Sequence, residues 1–430
     1  MSARRPALGA SVLMLGAGSI LLLTMGVRQS LGLFVLPIVA TTGVSLVSVS
    51  FALAIGQFVW GAAQPLFGAL ADHYGAYWVL VLGAVLLTAG SALAAVSSSG
   101  WALSLALGVL VAAGTAAGSF ALLIGVTARS LPLERRSFAA GLINAGGSLG
   151  QLLFAPLVQF LIRRSGWGVA MLAISIAALM TVPLAWLFRG PGGGSAPARA
   201  LEAGPTDAQA AVGDAERAAA GTPRQIGLRE QLRVALRDRN YLYLHAGFFT
   251  CGFHIAFLVT HLPGNLQLCG LPAAVAANSL ALIGVFNVMG SLSVGWLGNR
   301  LRMKNILALL YASRALVIVC YLLMPKTAFN VYLIAGALGF SWLATVPPTA
   351  GLVGKLFGTR YLTTLFGLTL LSHQIGGFLG AWLGGVAMAS LGSYDWVWYA
   401  DIVLALGAAL INLPIEEALP GRVRAPQGAV

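Results

Sequence analysis

The sequence predicts an all-α membrane protein: twelve transmembrane helices in two pseudo-symmetric six-helix bundles. Three observations carry that expectation. Of the 430 residues 58% are hydrophobic and only 9% charged, with a mean hydropathy of +0.88. A soluble domain carries about a quarter of its residues charged, so this balance points to lipid as the solvent. The apolar residues fall into runs near the roughly 20 that a spanning helix needs. Finally, the two halves of the chain match each other at a nearly constant offset.

Taken in order, span 1 is expected over 10–37. That run is too long for the apolar core of a secretion signal and reads as a retained helix. Span 2 covers 45–71 and ends in GALADHYG; span 3 covers 76–97; span 4, 101–129, closes at Arg129. Span 5 covers 137–162, between Arg135–Arg136 and Arg163–Arg164, and span 6 covers 167–188, stopping at Arg189. The polar segment 190–240 follows. Its first part is Pro/Gly/Ala-rich and lacks the apolar content to fold. Its second part, 228–239, reads as a short amphipathic basic helix on the lipid surface. Spans 7 to 12 are expected over 241–262, 272–298, 304–324, 329–354, 361–390 and 395–414. The chain thus divides into a first bundle (1–189), a cytoplasmic linker (190–240) and a second bundle with a short tail (241–430).

Twenty of the 25 basic residues fall on one side if the N-terminus is inside, against Arg163, Arg164 and Lys326 on the other. The excess of cations on the cytoplasmic side then puts both termini in the cytoplasm, and the arginine bias, with only Lys304, Lys326 and Lys355 as lysines, points to a bacterial inner-membrane protein. The formal charge of +13 is spread over these short loops, so it argues for topology and against nucleic-acid binding. Cys251, Cys269 and Cys320 have no metal-ligand spacing and read as small buried residues. No Walker pattern, metal cluster or nucleophile–base pair stands out, so neither ATP drive, nor a cofactor, nor an enzyme is expected.

The repeat has an offset of 226. Gly26-Val27-Arg28 falls on Gly252-Phe253-His254, Pro37 on Pro263, Arg129 on Lys355, Gly141 on Gly367 and Gly150 on Gly376. Between spans 2 and 8 the register slips by one, pairing GALAD at Gly68–Asp72 with GWLGN at Gly295–Asn299. Parallel six-helix repeats with a midplane site between them are a carrier architecture. With these residues in view the sequence resembles the major facilitator superfamily over its whole length. GALADHYG, with Gly68, Asp72 and Gly75, is similar to that superfamily's signature between spans 2 and 3, although Ala76 and Tyr77 stand where it continues with basic residues. Gly68 would allow close packing there, and Asp72 would cap a helix or pair with a cation such as Arg135, Arg136 or Arg360. RRSFAAGLINAGGSLG, from Arg135 to Gly150, resembles the monocarboxylate-porter pattern, and the oxalate–formate carriers share that layout. The intramembrane arginine those families carry in span 8, and their acidic motif at span 1, are absent here.

Ionisable groups at membrane depth are costly, so each is a functional candidate. Arg28 is the sharpest: a planar fork in an apolar run, suited to gripping a carboxylate with two hydrogen bonds. Snorkelling to the outer headgroups is the alternative, but nine residues separate it from Pro37, about 13 Å. His254 and His373 could donate to an anion or carry a proton. Gln57, Asn144, Gln151, Asn287 and Gln374 complete the substrate-site candidates, with helix–helix hydrogen bonding as the rival role for each. Gly146 and Gly150 read as a close helix contact. Arg314 and Asp401 are expected to form a structural ion pair.

The resemblance implies a secondary transporter, monomeric, moving a small organic anion such as a monocarboxylate by alternating access. Proton symport through a histidine and anion exchange both stay open. A drug or metabolite efflux carrier of the same fold is the near rival, and a transporter-like substrate sensor the rival of another class.

Overall fold

The computed structural model describes residues 10–129, 133–189, 227–298, 300–358 and 361–417. Twelve helices among them are long and apolar enough to cross a membrane. Spans 1 to 6 are Ser11–Thr42, Leu46–Ala71, Ala76–Val96, Gly100–Thr127, Leu142–Ser165 and Trp167–Phe188. Spans 7 to 12 are Arg239–Leu268, Ala273–Leu297, Met303–Leu323, Ala328–Phe357, Thr364–Leu391 and Asp395–Asn412. An even number of crossings returns the chain to the face it started from, called here the terminal face.

Local chemistry sets the joints. Span 1 runs past Pro37, tightens into a 3-10 turn at Leu31–Phe34 and stops at Gly43, whose φ of 71° suits a residue without Cβ. Span 2 ends at Gly75, φ 90°, before span 3 starts at Ala76. Span 4 contains a π-helical stretch, Ser104–Val111, which the hydropathy pattern does not reveal. Span 10 is broken at Trp342–Thr345, just before Pro347 and Pro348. Neither proline has an N–H to offer the preceding turn, so the helix cannot run through. In the linker, Leu228–Arg237 is helical, and Asp238 accepts from the backbone N–H groups of Asn240 and Tyr241 to start span 7.

The repeat reappears as pairing. Spans 1–5, 3–6 and 2–4 pair within the first bundle; spans 7–11, 9–12 and 8–10 do so in the second. The bundles meet where spans 2–11 and 5–8 cross. Small residues make these approaches close. Gly146 lies against the Gly18 backbone and Gly150 against the Leu22 carbonyl, joining spans 1 and 5. Gly376 and Gly380 face the carbonyls of Phe249 and Phe253, joining spans 7 and 11. With no hydrophobic drive between helices in lipid, such contacts hold the bundle by dispersion. Replacing Gly150 by Leu is expected to cost at least about 1–3 kcal/mol, since its Cβ would overlap a backbone oxygen that cannot swing away. Thermal unfolding in detergent checks this. Gly68→Ala is the control, expected within about 0.5 kcal/mol, because a Cβ there meets nothing within 4 Å.

That open space corrects the expected close packing at Gly68. Gly125, Gly295 and Gly367 are equally unopposed. By contrast, Gly32 sits on the Val259 carbonyl, Gly264 faces Leu36, Gly385 faces Ser50, and Phe51 meets Phe378 and Trp382 at 6.0 Å. These contacts between the bundles all lie toward the face away from the termini. Gly68, Gly125, Gly295 and Gly367, all near the terminal face, have no neighbour from the other bundle within reach of an added Cβ. Asp72, Arg135 and Arg136 have side chains outside the described structure, and Arg360 lies outside the described residues altogether. Cys251 is buried, but Cys269 is exposed at the end of span 7, contrary to its expected burial.

Candidate functional site

Arg28 lies fourteen residues before the end of span 1, about 21 Å along the helix. Snorkelling over that distance is out of reach for a side chain of its length. Its Nη2 donates instead to Gln57 Oε1 on span 2, and its Cζ stands 4.2 Å from the centroid of the Trp60 ring. Gln57 and Trp60 are three residues apart, so one helical face presents both. Both soften the cost of burying the cation and neither neutralises it. Among the described residues no Asp or Glu forms an ion pair with Arg28. Beside it is a cavity of about 20 Å³, bounded also by Thr115 of span 4 and by Val259 and Thr260 of span 7. That is room for about one water. Arg28 therefore looks across the seam between the bundles.

Span 11 supplies the other side of this seam. Gln374 lies over Gly61 of span 2, and its Nε2 is 3.2 Å from His373 Nδ1. Gln374 Oε1 has no partner among the described residues. His373 is 9% exposed, its ring 5.0 Å from Phe248. Arg28, Gln57, His373 and Gln374 thus gather at mid-depth along spans 1, 2 and 11.

The remaining candidates separate. Gln151 accepts from Gln29 Nε2 at 3.4 Å, tying span 5 to span 1. Asn287 donates to Ser148 Oγ at 3.2 Å and accepts from the Leu343 N–H at 3.1 Å, tying span 8 to span 5 and to the break in span 10. Both are engaged in holding helices together. Asn144 is half-buried on span 5 and makes no hydrogen bond among the described residues. Two more histidines also join spans 7 and 11: His245 Nδ1 meets Ser372 Oγ at 2.6 Å, and His261 Nε2 meets the Ala381 carbonyl at 2.7 Å.

Two expectations need correction. His254, the repeat partner of Arg28, does not line the seam. It is 0% exposed inside the second bundle, its Nδ1 2.6 Å from Asp401 Oδ2. A short imidazole pointing inward finds a carboxylate there, whereas the long Arg28 side chain reaches out to Gln57. The expected Arg314–Asp401 pair is not formed directly either. Arg314 Nη2 donates to the carbonyls of Ser341 (2.8 Å) and Trp342 (3.3 Å). Those oxygens lose their intrahelical partners at the break in span 10, and a buried carbonyl without a donor is expensive, so the guanidinium is drawn to them. Sequence reasoning also passed over Trp60. Its spacing of three from Gln57, on a helix facing the arginine, was the available signal.

Known proteins bear on this geometry. The Major Facilitator Superfamily model matches residues 8–381. Monocarboxylate transporter 13 of Rattus norvegicus is 28% identical, with 91% of this chain and 86% of that protein covered. The oxalate:formate antiporter of Oxalobacter formigenes is 23% identical, with 87% and 84% covered. Among solved structures, a bacterial homolog to the human lysosomal transporter Spinster, inward-facing and unoccupied, superposes with a TM-score of 0.72. It is 16% identical and the match covers 95% of this chain and 97% of that one. At that identity the likeness speaks for the fold alone.

Proposed function

The chain belongs to the major facilitator superfamily, and on that premise we propose that it carries a small organic anion of the monocarboxylate kind across the bacterial inner membrane by alternating access. One observation supports the cargo above the others: a permanently charged guanidinium at mid-depth whose partners among the described residues are an amide and an aromatic ring, with no carboxylate. Such a group is stabilised by an incoming anion that can take both of its N–H directions at once. Gln57 would yield one of those directions, Trp60 would keep its stacking, and Gln374 and His373 would offer further polar contact from the second bundle. The names of two relatives, a monocarboxylate transporter and an oxalate:formate antiporter, agree with this chemistry.

The cavity beside Arg28 is too small for such a cargo, so loading needs the bundles to part along spans 2–11 and 5–8. That motion is rocking of one bundle against the other around a fixed site. Uptake into proteoliposomes with a panel of labelled carboxylates tests the reading. Saturable entry of at least one small carboxylate, blocked by its unlabelled form, is the expected result. Expulsion of hydrophobic cations with no movement of any carboxylate would instead establish the efflux alternative.

A further inference from the structure

The second bundle holds a polar cluster that the anion site does not use. His254 on span 7, Arg314 on span 9 and Asp401 on span 12 are each 0% exposed. The facing ionisable groups are few: Tyr311 under the guanidinium (5.5 Å from Cζ to ring), Cys251 one turn back on span 7, and His373 on span 11, which feels Arg314. Span 10 contributes only the neutral Trp342, its ring 6.0 Å from that of His254, and Thr345, which meets Cys251 Sγ at 3.3 Å. Among the described residues four polar atoms of the cluster have no partner: His254 Nε2, Asp401 Oδ1, and Nε and Nη1 of Arg314.

The first bundle joins the matching spans without such charges. The positions 226 residues earlier than Arg314 and Asp401 are Thr88 and Ser175. Their hydroxyls donate to each other's backbone carbonyls at 3.3 and 3.0 Å, joining spans 3 and 6 with neutral groups. Where the first bundle uses two hydroxyls, the second buries Arg314 and Asp401 with His254 beside them, and burying such groups is costly. A cost of that kind persists where the charge has a task.

We propose that the His254–Asp401 pair, flanked by Arg314, is the carrier's proton-binding site; this rests on the carrier reading above and adds its coupling ion. The proton goes to the free Nε2 of His254, Asp401 remains the counter-charge, and the three side chains pass from net neutral to singly positive. Water reaching the pair in one conformation favours loading, and its exclusion in the other favours release. The new charge repels Arg314, which holds the Ser341 and Trp342 carbonyls at the break in span 10. Proton occupancy is thereby linked to the shape of span 10, and through the Asn287–Leu343 bond to the seam between spans 5 and 8.

The first bundle supplies the test variant. Arg314→Thr with Asp401→Ser copies its neutral pair, and His254→Gln removes the titrating ring. Reconstituted, this triple variant is expected to exchange carboxylate across the membrane within about 2-fold of wild type. Accumulation driven by an imposed pH gradient should fall at least about 10-fold. Potentiometric difference titration in detergent, wild type minus variant, should show about one proton per chain that the variant lacks. If the triple variant does not fold, His254→Gln alone carries the same readouts. Undiminished gradient-driven accumulation, or a flat difference titration, overturns the proton site while leaving the anion reading intact. Failure of wild type to exchange any carboxylate defeats the anion reading, and the titration then decides the proton site by itself.

Discussion

Arg28→Gln is expected to reduce carboxylate transport at least about 30-fold, because truncating one partner of a buried charge-assisted contact costs about 2–5 kcal/mol and each 1.4 kcal/mol is a factor of ten. The replacement keeps an amide that can still bond Gln57 and still lie over Trp60, so the fold should survive and thermal unfolding in detergent should change little. Arg28→Lys separates charge from shape. It retains the cation but loses the planar fork, so it should recover part of the rate with a raised KM. Initial rates of labelled carboxylate uptake in proteoliposomes measure all three proteins side by side. Wild-type rates in Arg28→Gln would falsify the role given to this residue even if the cargo proved right.

Gly32→Leu should stop transport by a different route. Gly32 is buried in the 3-10 turn of span 1, and a side chain added there would collide with the Val259 carbonyl of span 7. The collision exists only while the bundles are closed on the face away from the termini. A leucine therefore penalises that state by about 1–3 kcal/mol or more and shifts the population at least about 5-fold toward the opposite one. Transport, which must visit both states, should drop by a similar factor. The shift is visible through a cysteine placed at Phe51, which sits between Phe378 and Trp382 in the closed contact. With the exposed Cys269 first replaced by Ser, Phe51→Cys should react with a membrane-impermeant thiol reagent faster when Gly32 is leucine. Equal labelling together with undiminished transport would mean that Gly32 is no part of the closing contact.

The contrast between Arg28 and His254 shows where sequence reasoning stops. Both were visible as charges in apolar runs, and the repeat put them at matching positions. Nothing in the local pattern said that one side chain would reach Gln57 beside the seam while the other turned into the interior of its own bundle to meet Asp401. Likewise Arg314 was legible as an intramembrane cation, but its partners are carbonyls released by a helix break that two prolines hinted at only in retrospect. Gln151 and Asn287 could be named as polar but not assigned as ties between helices, since that depends on what stands opposite.

The amino-acid order alone was enough for the twelve crossings, the doubled architecture and the presence of a stranded arginine. Lipid makes each of these a local demand, because every spanning stretch must be apolar and must satisfy its own backbone, and any charge within it stands out. Partners were decided only in three dimensions. Which way a side chain points depends on how each helix is rotated and pressed against its neighbours, and here that rotation is set by glycines meeting carbonyls on other spans, a contact between residues far apart in the chain.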